Sequence, residues 1–129
     1  MQKLTIINTS KSPSINFNPE TGLFEMSGVS LIENTLNFYQ PIINWLKSYI
    51  KNPSPTTKFI FKLHYSNTSS YKNIYDMLSV VNSIHNNKTN LIVDWYYASD
   101  DLDMRSIGED YQESLNVDFN FIEVDVNAL

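Results

Sequence analysis

Two strand-forming runs, Phe59-Ile60-Phe61-Lys62-Leu63-His64-Tyr65 and Leu91-Ile92-Val93-Asp94-Trp95-Tyr96-Tyr97, bracket a segment in which Ile74, Met77, Leu78, Val81 and Ile84 recur at helical spacing. A strand, a helix and a strand joined this closely form a right-handed crossover, which leaves the two strands parallel in one sheet. In the first run Phe59, Phe61, Leu63 and Tyr65 share one face, and Ile60, Lys62 and His64 share the other. Nothing else in the chain limits its fold as much.

The flanking segments extend the same sheet. Leu4-Thr5-Ile6-Ile7 reads as a first strand. Ile15-Asn16-Phe17 and Leu23-Phe24-Glu25-Met26-Ser27 flank Asn18-Pro19-Glu20-Thr21-Gly22, a hairpin turn by its Pro and Gly placement. Ser30-Leu31-Ile32-Glu33 has the spacing of a capping box. From there Ile32, Leu36, Tyr39, Ile43, Leu46 and Ile50 predict a helix from about Ser30 to Ile50, bent at Pro41 and stopped by Asn52-Pro53-Ser54-Pro55. His85-Asn86-Asn87-Lys88 ends the second helix. A third helix starts near Ser99-Asp100-Asp101-Leu102-Asp103-Met104 and runs to about Ser114, and a last strand covers Phe119 to Val124. The expected architecture is one α/β domain over residues 1–129, a mixed sheet of five or six strands with about three helices mainly on one face.

Bulk properties remove whole classes of function. The net charge of −5 opposes binding to nucleic acid or to an anionic membrane. The absence of cysteine excludes disulfides, thiolate catalysis and cysteine-based zinc sites. The N-terminus lacks a secretion signal and no apolar run has the length of a membrane span, so a soluble, cytoplasmic protein is expected.

The first strand of the crossover runs into Ser66-Asn67-Thr68-Ser69-Ser70 before the second helix begins. Such side chains cap helix starts by accepting from backbone N–H groups that have no carbonyl four residues back. One cap needs one oxygen, and this block offers several. A phosphoryl group attached here would meet a positive helix end and free donors, so capping and a regulated hydroxyl both stand as readings.

Other chemistries are less well supported by the residues. Asp100, Asp101, Asp103, Glu109 and Asp110 lack the ligand spacing and central glycine of a calcium loop, and helix-dipole complementation accounts for acids at this position. Gly22, Gly28 and Gly108 are too far apart for a phosphate loop. Ser69, His64 and Asp94 can be drawn as a hydrolytic triad, though a chain this rich in hydroxyls permits many such drawings. No metal and no cofactor is expected.

Several motifs then point one way. Gly28-Val29-Ser30 with Glu33-Asn34, Phe38-Tyr39 with Pro41-Ile42 and Trp45-Leu46, Asn67-Thr68-Ser69-Ser70, Trp95-Tyr96-Tyr97, Asp101-Leu102-Asp103-Met104 and Gly108-Glu109-Asp110-Tyr111 resemble, in order and spacing, the SiaC family of bacterial regulatory phosphoproteins. The resemblance spans about Phe17 to Phe121; Ile32, Ser66 and Ala98 depart from the family pattern beside the motifs. It implies a STAS-like fold, similar to the anti-sigma-factor antagonists, and a non-enzymatic switch. By the same resemblance, Thr68 is the residue phosphorylated by a dedicated Ser/Thr kinase and dephosphorylated by a PP2C-type phosphatase. The unphosphorylated form would bind and activate a diguanylate cyclase, raising cyclic di-GMP and promoting biofilm. Asn67, Ser69, Ser70, Lys72, Asp101 and Asp103 are the expected contacts to these partners. The competing expectations are a small hydrolase using the hydroxyl corner with His64, and a purely structural interaction domain.

Overall fold

The computed structural model describes residues 1–129. Six strands form one sheet in sequence order: β1 (Leu4–Ile6), β2 (Ser14–Asn18), β3 (Leu23–Ser30), β4 (Thr56–Ser66), β5 (Asn90–Ala98) and β6 (Phe119–Val124). The first three are an antiparallel meander, and β3 to β6 pair in parallel. Each parallel step carries one helix: α1 (Thr35–Tyr49), α2 (Thr68–Asn82) and α3 (Leu102–Leu115). All three crossovers advance by one strand in the same direction, so right-handedness sets the helices on a single face.

The core follows from that layering. Ile15, Phe17, Phe24, Met26, Phe59, Phe61, Val93 and Trp95 on the sheet join Tyr39, Ile42 and Leu46 of α1, Met77, Leu78 and Val81 of α2, and Met104 and Leu115 of α3 in one buried cluster. No helix covers the opposite sheet face, where polar pairs lie beside the partly buried Ile60 and Ile92. Lys58 bridges Asp94 at 3.0 Å, Lys62 bridges Glu25 at 3.2 Å, and the Lys62 ammonium lies 5.0 Å from the centre of the Tyr96 ring.

Strand and helix order agree with the sequence reading, and two local expectations are corrected. The first helix does not begin at Ser30. Ser30 ends β3, Asn34 is the N-cap, accepting from the Asn37 N–H at 3.3 Å, and Leu36 lies on the outside at 62% exposure. Pro41 lies within α1 as an exposed residue, and its ring supplies no backbone N–H to the carbonyl four residues earlier. The second correction concerns β4. Its register with β3 slips between Gly28 and Val29, so Leu63 pairs with Gly28 and Tyr65 with Val29, leaving His64 as the extra residue of a bulge. Strict alternation fails there. His64 and Tyr65 both face outward and Ser66 turns in, with Tyr65 54% exposed and Ser66 2%.

No helix is long and apolar enough to cross a membrane. The consequence for function is geometric: the carboxyl ends of β3, β4 and β5 and the N-termini of all three helices share one end of the molecule.

Candidate phosphorylation and docking site

At the centre of that end, β4 gives way to α2 through Asn67, whose extended backbone (φ −78°, ψ 168°) makes it the N-cap. Its Oδ1 accepts from the Ser70 N–H at 3.0 Å, its Nδ2 donates to the Ile32 carbonyl at 2.9 Å, and its N–H donates to the Ser30 carbonyl at 2.9 Å. The amide thus caps α2 and ties the segment after β3 to the corner. With the cap supplied by Asn67, the hydroxyls are left for other uses.

Each hydroxyl has a distinct fate. Thr68 is the first residue of α2 and its side chain is exposed. Ser69 is also exposed, its Oγ 3.4 Å from Asn67 Oδ1. Ser70, expected among the partner contacts, is instead at 0% exposure. The Ser30 hydroxyl donates to Ser70 Oγ at 2.7 Å, and the Ser70 hydroxyl donates to the Ser30 carbonyl at 3.3 Å. Because the Ser30 proton is committed, the 2.6 Å contact between Tyr39 Oη and Ser30 Oγ has the phenol as donor. Tyr39, Ser30 and Ser70 form a directed chain joining α1, β3 and α2 beneath Thr68. Burial raises the Tyr39 pKa, its largest cause, against the hydrogen bonds to Ser30 and Ser70, which lower it. Ser66 Oγ, turned in by the bulge, is buried without a hydrogen-bond partner in the chain.

The start of α3 stands beside the same corner. Asp101 is the α3 N-cap, accepting from the Met104 N–H at 3.1 Å, and Asp103 is exposed in the first turn. Both carboxylates, with Tyr65, raise the Tyr71 pKa beyond the larger effect of its burial, so α2 and α3 begin within electrostatic reach of each other. Tyr111 of α3 donates to the Tyr71 carbonyl, and burial drives its own pKa far above the usual phenol value. Lys72 is exposed, one turn after Thr68 on the same helix face, and makes no ion pair.

The drawn triad is not assembled. His64 points outward from the bulge, while Asp94 is held by Lys58 at 3.0 Å and Asn120 at 2.9 Å on the sheet face away from the helices that carry Ser69. Sequence reasoning missed the buried partners Ser30, Tyr39 and Tyr111. All three stood in recognised motifs, but a motif does not say which residues bond each other across the fold.

Comparison with known proteins agrees with this fold. SiaC of Pseudomonas aeruginosa superposes with a TM-score of 0.81 at 24% identity, covering 95% of this chain and 97% of that one. The crystal structure of the diguanylate cyclase SiaD in complex with its activator SiaC, from the same organism, matches with a TM-score of 0.86 at 23% identity over 94% of this chain and 99% of that chain. An uncharacterized protein of Pseudomonas aeruginosa strain UCBPP-PA14 is 24% identical over 119 residues, 92% of this chain and 94% of its own length. The sequence model of the SiaC family regulatory phosphoproteins matches residues 6–124, nearly the whole chain, and the chain belongs to that family.

Proposed function

We propose that this protein is a phosphorylation-controlled binding protein without catalytic activity of its own. Thr68 is its switch, a dedicated Ser/Thr kinase and a PP2C-type phosphatase set the state of that residue, and a diguanylate cyclase is the partner held by the unmodified form in the cytoplasm. One observation carries the reading. Asn67 takes the cap and Ser70 is sealed into the core, which leaves Thr68 exposed at the first position of α2 with no structural duty. A hydroxyl free of structural work can be modified without unfolding its surroundings.

Phosphorylation adds roughly −1.5 to −2 charges and three strong acceptors. At Thr68 the group meets the positive end of α2 and has Lys72 one turn away, so the fold tolerates it. A partner covering the corner would have to strip water from that dianion, which costs far more than covering a neutral hydroxyl. Binding is lost while the fold stays.

The test is a binding titration of unmodified, Thr68-phosphorylated and Thr68→Asp protein against the purified diguanylate cyclase of the same organism, with mass spectrometry locating the phosphoryl group on protein purified from cells. Only the unmodified form should bind tightly. Equal affinity of the unmodified and phosphorylated forms would refute the switch.

A further inference from the structure

Eight large hydrophobic side chains are exposed, and four of them, Leu31, Leu36, Tyr65 and Leu102, lie at the end of the molecule that carries Thr68. Leu31 follows β3, Leu36 is in the first turn of α1, Tyr65 is at the end of β4, and Leu102 opens α3. They belong to one surface. Asn67 bonds the Ile32 carbonyl, Leu36 lines a cleft of about 340 Å³ together with Ser69 and Lys72, and Tyr71 feels Tyr65, Asp101 and Asp103 together. A cluster of exposed apolar side chains around a polar centre is characteristic of a binding surface.

The charges around these residues are predominantly negative. Glu33, Asp100, Asp101 and Asp103 stand at this end, against two exposed lysines without an ion pair, Lys72 and Lys11, whose carbonyl accepts from the Leu31 N–H at 2.8 Å. Arg105, the chain's one arginine, is engaged by Tyr97 Oη at 2.6 Å and by Glu109 at 3.6 Å. Flanking carboxylates select for cations on whatever covers the leucines and disfavour anionic surfaces.

We infer that this end face docks a protein surface whose apolar residues are flanked by lysine or arginine. The inference rests on the partner-binding reading above and specifies the chemistry of the partner. It also constrains the switch. A cationic partner is drawn toward a phosphoryl group, so simple charge repulsion is not the off signal. Release comes from burying a hydrated dianion among Leu36, Tyr65 and Leu102, where the desolvation cost exceeds a screened attraction at the rim.

The experiment measures the affinity of the full chain for the purified diguanylate cyclase across a salt series, using two variants built only on exposed positions. Glu33→Lys with Asp100→Lys and Asp103→Lys should weaken binding by roughly tenfold or more at low salt and flatten its salt dependence. Leu36→Ala with Leu102→Ala should weaken it by a similar factor at every salt concentration. Thermal melts identify any variant that has lost its fold. Should the three lysines leave the affinity within about twofold of wild type, or tighten it, the cationic-partner inference fails, and the Thr68 switch survives if phosphorylation still abolishes binding. If the variants lose binding while phosphorylated and unmodified protein bind alike, the face stands and the switch is the part that fails. Binding of the wild-type chain to phosphatidylserine vesicles would also overturn the inference.

Discussion

Asn67 holds a larger structural share of the corner than any hydroxyl beside it. Its side chain satisfies one free N–H of α2 and one carbonyl of the segment after β3, two bonds that a single truncation removes together. Asn67→Ala should therefore cost about 1–2 kcal/mol in urea denaturation. Thr68→Ala removes an exposed hydroxyl that makes no hydrogen bond within the chain and should stay within about 0.5 kcal/mol of wild type. The order is the informative part. If Thr68→Ala destabilises as much as Asn67→Ala, the threonine is structural and the premise of the switch is wrong. The sequence presented these residues as interchangeable candidates for a cap, because each has a short side chain with an accepting oxygen. Only the tertiary partners separate them: Ile32 draws on Asn67, Ser30 draws on Ser70, and nothing draws on Thr68.

At the scale of elements, α3 owes its position to Gly108. A Cβ built there would come within 2.7 Å of Trp95 Cδ1 and 2.8 Å of Phe121 Cε1, so the helix lies directly on the rings of β5 and β6. Gly108→Ala gains about 1 kcal/mol of helix propensity and meets an overpacking cost of about 1–3 kcal/mol, because both rings belong to or pack on the core. A net loss of stability is expected in denaturant titrations, and a more stable variant would show that α3 sits less closely than described. Lifting α3 also moves Asp101 and Asp103, so the same variant should weaken partner binding more than its stability loss explains. Elements with a strong period were legible in the sequence: β5, α2 and β6 lie where alternation or helical spacing set them. The start of α1 was not. Ser30 and Glu33 satisfy the spacing of a capping box, yet the Ser30 hydroxyl is spent on Ser70 and Tyr39, and a serine oxygen used across the fold is not free for its own helix. Tyr65 was misplaced for a related reason, since a bulge shifts the side-chain alternation of β4 without altering its composition.

For the whole molecule, two buried phenols tie the helices around the docking end. Tyr39 links α1 to Ser30 and through it to α2, and Tyr111 links α3 to the Tyr71 carbonyl of α2. Burial is the first cause of the raised pKa of both. In the unfolded chain a tyrosine ionises near pH 10, whereas in the folded protein these two keep their protons to higher pH. Above about pH 10 the unfolded state binds fewer protons than the native state, so stability falls as pH rises; below that value both states are protonated and the contribution is constant. Each phenol steepens the fall by about 1.4 kcal/mol per pH unit between its unfolded and folded pKa values. Tyr71, half-buried and raised in the same direction, adds a smaller part because solvent screens it. Replacing Tyr39 and Tyr111 together by Phe removes the titrating protons and the hydrogen bonds at once. Stability at neutral pH should drop by about 1–3 kcal/mol, while the alkaline decline between about pH 10 and about pH 11 becomes shallower. Urea midpoints measured across that range decide it. An unchanged slope in the double variant would mean that the alkaline loss comes from other groups and that these phenols do not couple proton binding to the assembly of the three helices.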